Sequence, residues 1–130
     1  MEESIFTKII KGEIPCHKIY EDDKTFAFLD IHPKTRGHTL VIPKKQVEFV
    51  WDLDDETYQA VMATVKKVAL KIRETTGCTY VGELVSGNEV PHAHVHVYPF
   101  NTLEESRRIP DPNAEPDHKE FEKIAAKLAF

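Results

Sequence analysis

The chain has little of what an exported or membrane-bound protein needs. It has two cysteines, Cys16 and Cys78, too few for a disulfide framework and not paired as CxxC, so the expected location is a reducing cytoplasm. No apolar run approaches the roughly 18 residues of a spanning helix, and the first ten residues, MEESIFTKII, open acidic without a long apolar core. Neither a membrane span nor an export signal is expected. Positive charge is also short: 17 Lys and Arg against 22 Asp and Glu leave a net charge of −5. That balance excludes coating of polymeric nucleic acid, so any nucleotide ligand must be held locally. No repeat or low-complexity tract interrupts the 130 residues, 41% of them hydrophobic, and one domain over 1–130 with a real core is expected.

What the chain does have is periodicity. SIFTKIIKGEIP places Ile5, Phe6, Ile9 and Ile10 at helical spacing, with Ser4 as N-cap and Gly12 as terminator. HKIYEDDKTFAFLDI has two apolar runs around the acidic turn Glu21, Asp22 and Asp23, the pattern of an antiparallel hairpin. HTLVIP is a continuous apolar run stopped by Pro43, as expected of a strand buried on both faces. DDETYQAVMATVKKVALKIRETTG carries an apolar stripe from Tyr58 through Val61, Val65 and Val68 to Ile72, a long core-facing helix between Asp54 and Gly77. CTYVGELVSG and the stretch after it supply two more strands. Residues 104–120, rich in charge and proline, read as a surface excursion before a last helix over 117–130. The strands are grouped rather than alternating with helices, which predicts an α+β fold: a mainly antiparallel sheet of about five strands with one long helix.

PHAHVHVYP, residues 91–99, is the unusual stretch. His92, His94 and His96 alternate with apolar residues, so a strand would put all three on one face with Cα atoms roughly 6.5 to 7 Å apart. A solvated polar face, a metal site and a catalytic row all fit that pattern. His38, opening GHTLVIPKK after a glycine, is the fourth histidine of interest; His17, His32 and His118 sit in turn-like or charged surroundings and read as exposed or locally bonded.

HAHVHVYP resembles the motif of the histidine triad (HIT) family. The segment SIFTKIIKGEIPCHKIYEDDKTFAFLDIHPKTRGHTLVIPKK also resembles the N-terminal half of the nucleoside phosphoramidase branch in its apolar skeleton, so the similarity covers roughly residues 4 to 100. The resemblance implies an enzyme that cleaves a nucleoside monophosphate from a leaving group through a covalent nucleotidyl-histidine. His94 would be the nucleophile and His96 the proton donor to the leaving group, with His92 and His38 completing a relay. Asp30 would accept hydrogen bonds from the ribose hydroxyls, and Ile5, Phe6, Ile9, Phe28 and Ile31 would wall the base. The implied partners are a purine nucleotide substrate and a second copy of the chain, the sheet continuing across a homodimer through CTYVGELV and the long helix. In the monomeric alternative the last helix folds back over that strand edge. No cofactor is implied.

The chain departs from the family pattern in places. Ser4 and Thr7 stand where many bacterial relatives have cysteines of a structural zinc site, and a hydroxyl pair is a poor zinc ligand set, so no structural zinc is expected. SGNEVPH replaces the usual Gly-Gln approach to the triad: Asn88 keeps an amide and Glu89 adds a charge at the phosphate-binding position. Gln46, where many members carry His, has no assigned role. Three other functions stay open at this stage: dinucleoside polyphosphate hydrolysis, slow-turnover nucleotide binding or scaffolding, and zinc ligation by two or three of His92, His94 and His96. The metal reading needs a further ligand converging from elsewhere.

Overall fold

The periodic segments become elements at the expected places in the computed structural model, which describes residues 2–130. In chain order they are α1 (Ile5–Ile10), β1 (Lys18–Glu21), β2 (Thr25–Leu29), β3 (Thr39–Pro43), a 3-10 turn (Val50–Asp52), α2 (Asp55–Thr76), β4 (Tyr80–Leu84), β5 (Val95–Phe100), α3 (Leu103–Ser106) and α4 (His118–Leu128). The strands form one antiparallel sheet in the order β1-β2-β3-β5-β4. The fold is the α+β class expected.

Local chemistry explains the boundaries. Ser4 caps α1 by accepting the Thr7 N–H, and Asp54 does the same for α2 through Thr57. Gly77 ends α2 at φ 68°, a left-handed conformation that favours glycine. The β1–β2 turn is held by Asp22, whose Oδ1 accepts the N–H groups of Lys24 at 2.9 Å and Thr25 at 2.7 Å.

β3 lies at the centre of the sheet and is buried at every position. Strand alternation divides the side chains between two apolar clusters. Ala27, Leu29, Val41, Val95 and Val97 pack with Val61, Val65, Val68 and Ile72 of α2 and with Phe121, Ile124 and Leu128 of α4. Phe26, Phe28, Leu40 and Ile42 pack on the other face with Phe6 and Ile9 of α1. The buried hydroxyls of Thr25 and Thr64, 2.7 Å apart, satisfy each other across the β2–α2 contact.

Three expectations need correction. First, β5 starts at Val95, so only His96 of the three histidines lies in a strand, and His92 and His94 precede it. The β3–β5 register would set Ala93 opposite Pro43, which has no N–H to give the ladder, and Ala93 donates instead to the Val47 carbonyl at 2.7 Å. Second, the last helix stops at Leu128: Ala129 is extended and the Phe130 N–H donates to the Ile19 carbonyl of β1 at 3.1 Å. Third, that tail and the Phe130 ring stacked on Tyr20 put the C-terminus at the β1 edge, so α4 does not cover β4 in the way the monomeric alternative required.

Candidate active site

The face of the sheet opposite α2 carries the histidines. His96 pairs across the sheet with Leu40, and Leu40 with Phe28, so His96 falls on the face lined by Phe28, Leu40 and Ile42 under α1. His94 continues the row, its ring centroid 5.2 Å from that of His96 and 5.2 Å from Phe6. His92 also sits against Phe6, and His38, next to β3, lies 5.1 Å from His96. All four imidazoles are at most 5% exposed, which excludes a solvated polar face.

Hydrogen bonds fix where the protons sit. His92 Nε2 lies 2.8 Å from the Pro43 carbonyl, which can only accept, so this nitrogen carries the hydrogen and His92 Nδ1 accepts from the Ser4 hydroxyl at 2.8 Å. The His92 carbonyl accepts from His94 Nδ1–H at 2.7 Å. The lone pair of His94 is therefore on Nε2, a buried atom with no hydrogen-bond partner among the described residues. A second chain starts at the Lys34 N–H, which donates to His38 Nδ1 at 2.9 Å. His38 Nε2–H then donates to His96 Nδ1 at 3.0 Å, and the hydrogen of His96 is left on Nε2. That nitrogen faces Glu89 Oε1 at 3.5 Å.

Burial favours the neutral imidazoles. It pushes His38 down to about 3, with the neighbouring His96 and Lys34 adding to the effect. His92 is lowered by burial against the opposing pull of the Pro43 carbonyl. His96 is lowered by burial and by His94, and Glu89 opposes them. Asp30, just past β2, has its carboxyl raised by burial. Its Oδ1 accepts the His32 N–H at 2.8 Å, and its Oδ2 lies 3.7 Å from His38 Nε2 and 4.0 Å from His96 Nδ1. A proton added to the His38–His96 pair would have this carboxylate beside it.

The other expected site residues divide by exposure. Phe6, Ile9 and Phe28 are buried in the α1 cluster and form the backing of the site. Ile5, 49% exposed, and Ile31, 39% exposed, keep apolar surface open to a ligand. Asn88 and Glu89 lie in the segment between β4 and β5, both exposed, with Glu89 turned toward His96.

Gln46 was missed by sequence reasoning. Its Oε1 accepts from the Ser4 N–H at 2.9 Å and from the Thr7 hydroxyl at 2.7 Å, and its Nε2 donates to the Glu2 carbonyl at 2.8 Å. Ser4, Thr7 and Gln46 thus form a polar knot that ties the start of α1 to His92. The hint in the sequence is that Ser4, Thr7 and Gln46 all depart from the pattern described above.

Among the described residues two groups of side chains could hold a metal ion, Asp30 with His38 and His96, and Glu89 with His94 and His96, the ligand atoms of each lying within 4.8 Å of one another. His92 belongs to neither, because both of its ring nitrogens are engaged, so ligation by His92, His94 and His96 together is ruled out by geometry. The carboxylate that the metal reading needed is Asp30 or Glu89.

Comparisons with known proteins agree with this architecture. The HIT domain family model matches residues 11–102. An uncharacterized HIT-like protein of Borreliella burgdorferi is 42% identical over 106 residues, 76% of this chain and 76% of that protein. The adenosine 5′-monophosphoramidase of Schizosaccharomyces pombe is 40% identical over 96 residues, 73% of this chain and 72% of that one. Among solved structures, a HIT-like protein from Bartonella henselae superposes with a TM-score of 0.85 at 34% identity, over 97% of this chain and 93% of the other. A chain that carries the four-histidine site on this sheet and matches these proteins across most of its length belongs to the HIT family.

Proposed function

We propose that this protein hydrolyses nucleoside 5′-phosphoramidates and related conjugates of a purine nucleoside monophosphate, through a covalent nucleotidyl-His94 intermediate. One observation carries the reading: the His92 carbonyl holds His94 Nδ1–H and leaves Nε2 as a buried lone pair with no hydrogen-bond partner among the described residues. The S. pombe relative, named for this activity, supports it.

In the first step His94 Nε2 bonds to phosphorus as the phosphorus–nitrogen bond breaks, and the electron pair leaves on the nitrogen. The leaving nitrogen takes a proton from His96 Nε2, the pair with His38 having taken up that proton beside Asp30 when the anionic phosphoryl group entered. In the second step water attacks phosphorus, His94 departs as neutral imidazole, and the water proton returns to His96. Asp30 accepts from the ribose hydroxyls, Ile5 and Ile31 offer apolar surface to the base, and Asn88 offers its amide to the phosphate.

The test uses adenosine 5′-phosphoramidate, with acid quenching and intact-mass measurement. Wild-type protein should show a species heavier by one adenylyl group, and His94→Ala should show none and should lose turnover while still binding AMP. Retention of about a tenth of wild-type kcat by His94→Ala, a loss of only about 1.4 kcal/mol in barrier, would refute the nucleophile assignment.

A further inference from the structure

The atom that hands a proton to the leaving group faces a carboxylate. Glu89 Oε1 is 3.5 Å from His96 Nε2, and the Glu89 side chain is 54% exposed, so it stands at the mouth of the site rather than within it. A narrow cavity of about 60 Å³ reaches His94, lined by Glu48, Phe49, Trp51, Ser86 and Gly87 among others. Glu48 is exposed, and Phe49 at 40% and Trp51 at 73% exposure present aromatic surface to solvent. His94 and His96 each keep a buried Nε2 without a hydrogen-bond partner among the described residues.

The nearby cations are engaged elsewhere. Lys34 donates to the Ser106 carbonyl at 2.7 Å and lies over the Tyr98 ring, Lys44 pairs with Glu21 at 2.8 Å, and Lys45 pairs with Asp54 at 3.5 Å. Recognition of a polyphosphate leaving group would require Arg or Lys turned toward it. Carboxylates beside open aromatic rings are instead the surface that attracts ammonium groups, by charge and by cation–π contact.

We propose that Glu89 at His96, with Glu48, Phe49 and Trp51 around the cavity that reaches His94, selects the leaving group, so that the preferred substrates are phosphoramidates whose departing amine carries a second, positively charged group. The inference rests on the phosphoramidate reading above and names the substrate class within it. The phosphorus–nitrogen bond breaks as already described. The pendant ammonium takes no part in the bond changes and is held by Glu89 while the departing nitrogen receives its proton from His96.

The experiment compares three adenosine 5′-phosphoramidates with linkers of equal length ending in an ammonium, a hydroxyl or a carboxylate, assayed for kcat/KM at low and at 0.5 M added salt, a value chosen as roughly screening. Wild-type protein should prefer the ammonium over the hydroxyl compound by about two- to fivefold and disfavour the carboxylate compound by a similar factor, the range of one half-exposed ion pair. Added salt should flatten the series, and Glu89→Gln should bring the ammonium-to-hydroxyl ratio close to one. Glu48→Gln should reduce the ratio by less. A ratio within one protein is insensitive to how much of each variant is folded. Turnover of all three compounds at equal kcat/KM by the wild type, or a ratio unchanged by Glu89→Gln, would overturn the leaving-group inference and leave the phosphoramidate reading standing. Failure to cleave any of the three would overturn both.

Discussion

Acid should unfold this protein earlier than its carboxylates alone would dictate, and His38 is the place to measure it. Its imidazole is 3% exposed, and its folded pKa of about 3 lies below the ordinary 6.5. Between those values the unfolded chain binds a proton that the folded one refuses, so stability is fully present above pH 6.5 and is lost as pH falls toward 3. The gap of 3.5 units, multiplied by about 1.36 kcal/mol per unit, corresponds to about 5 kcal/mol for this one group over the whole window, a large fraction of a typical domain stability. The steepest contribution is about 1.4 kcal/mol per pH unit. His92 and His96 shift the same way and steepen the slope. Asp30, raised by burial, opposes them from its ordinary 3.8 upward, and Glu21, Asp22 and Asp54, lowered in the fold, begin to matter below their ordinary values of 4.5, 3.8 and 3.8.

Between pH 6.5 and 4.5 the buried histidines lower stability as pH falls, and a variant that removes one of them isolates its share. Urea unfolding followed by far-ultraviolet circular dichroism at half-unit steps gives the slope; Trp51, at 73% exposure, would make a poor fluorescence reporter. His38→Asn keeps an acceptor for the Lys34 N–H at the position of Nδ1 and cannot titrate. Its slope near pH 5.5 should be shallower than the wild-type slope by about 1 kcal/mol per pH unit. Equal slopes, or a wild-type stability flat from pH 7 to 5, would refute the claim that burial holds this ring neutral.

Ser4→Ala removes the α1 cap and leaves the buried His92 Nδ1 without its best donor, so a loss of about 2 to 4 kcal/mol is expected, read as a lower melting temperature; a change under about 0.5 kcal/mol would mean the knot at α1 contributes nothing. Asp30→Asn weakens the acceptor facing the ribose and should cost about 1.5 to 3 kcal/mol of ribonucleotide affinity while shrinking the preference over the 2′-deoxy analogue, measured by calorimetry; unchanged discrimination would move the ribose contact to another residue. The outer edge of β4, with Tyr80 at 54% and Leu84 at 43% exposure, is left open by a C-terminus that lies at β1. A two-fold homodimer paired along β4 is expected, and light scattering at micromolar concentration that gave the 14.9 kDa of one chain instead of twice that would refute it.

The elements were legible because each satisfies its own local rule. The stripe Val61, Val65, Val68 and Ile72 buries one side of a helix bounded by Asp54 and Gly77, and alternation around Leu40 and Val41 divides two clusters whichever partner strand lies alongside. The register of the histidines was legible only in part. Alternation placed His96 correctly, but the end of β5 depends on Pro43, distant in sequence, being opposite residue 93. Gln46 escaped, and Glu89 was singled out without its contact to His96, for the same reason: an amide meeting Ser4 across 42 positions and a carboxylate meeting an imidazole across a loop leave no periodic trace.

The deepest illegibility lies in the main chain. The proton arrangement depends on three backbone groups, the carbonyls of Pro43 and His92 and the N–H of Lys34. The carbonyls would be supplied by any residue at those positions, and the N–H by any residue but proline. The tautomers of His38 and His92 are thus set by main-chain groups, and a substitution at 34 or 43 that leaves the backbone path intact leaves them unchanged. The converse also holds: moving the 43–47 segment, which supplies the Pro43 carbonyl to His92 and the Val47 carbonyl to Ala93, would disturb His94 without altering any residue that touches substrate. The histidines are ones that a motif can find, but which nitrogen of His94 keeps the free lone pair is decided by a carbonyl two residues away.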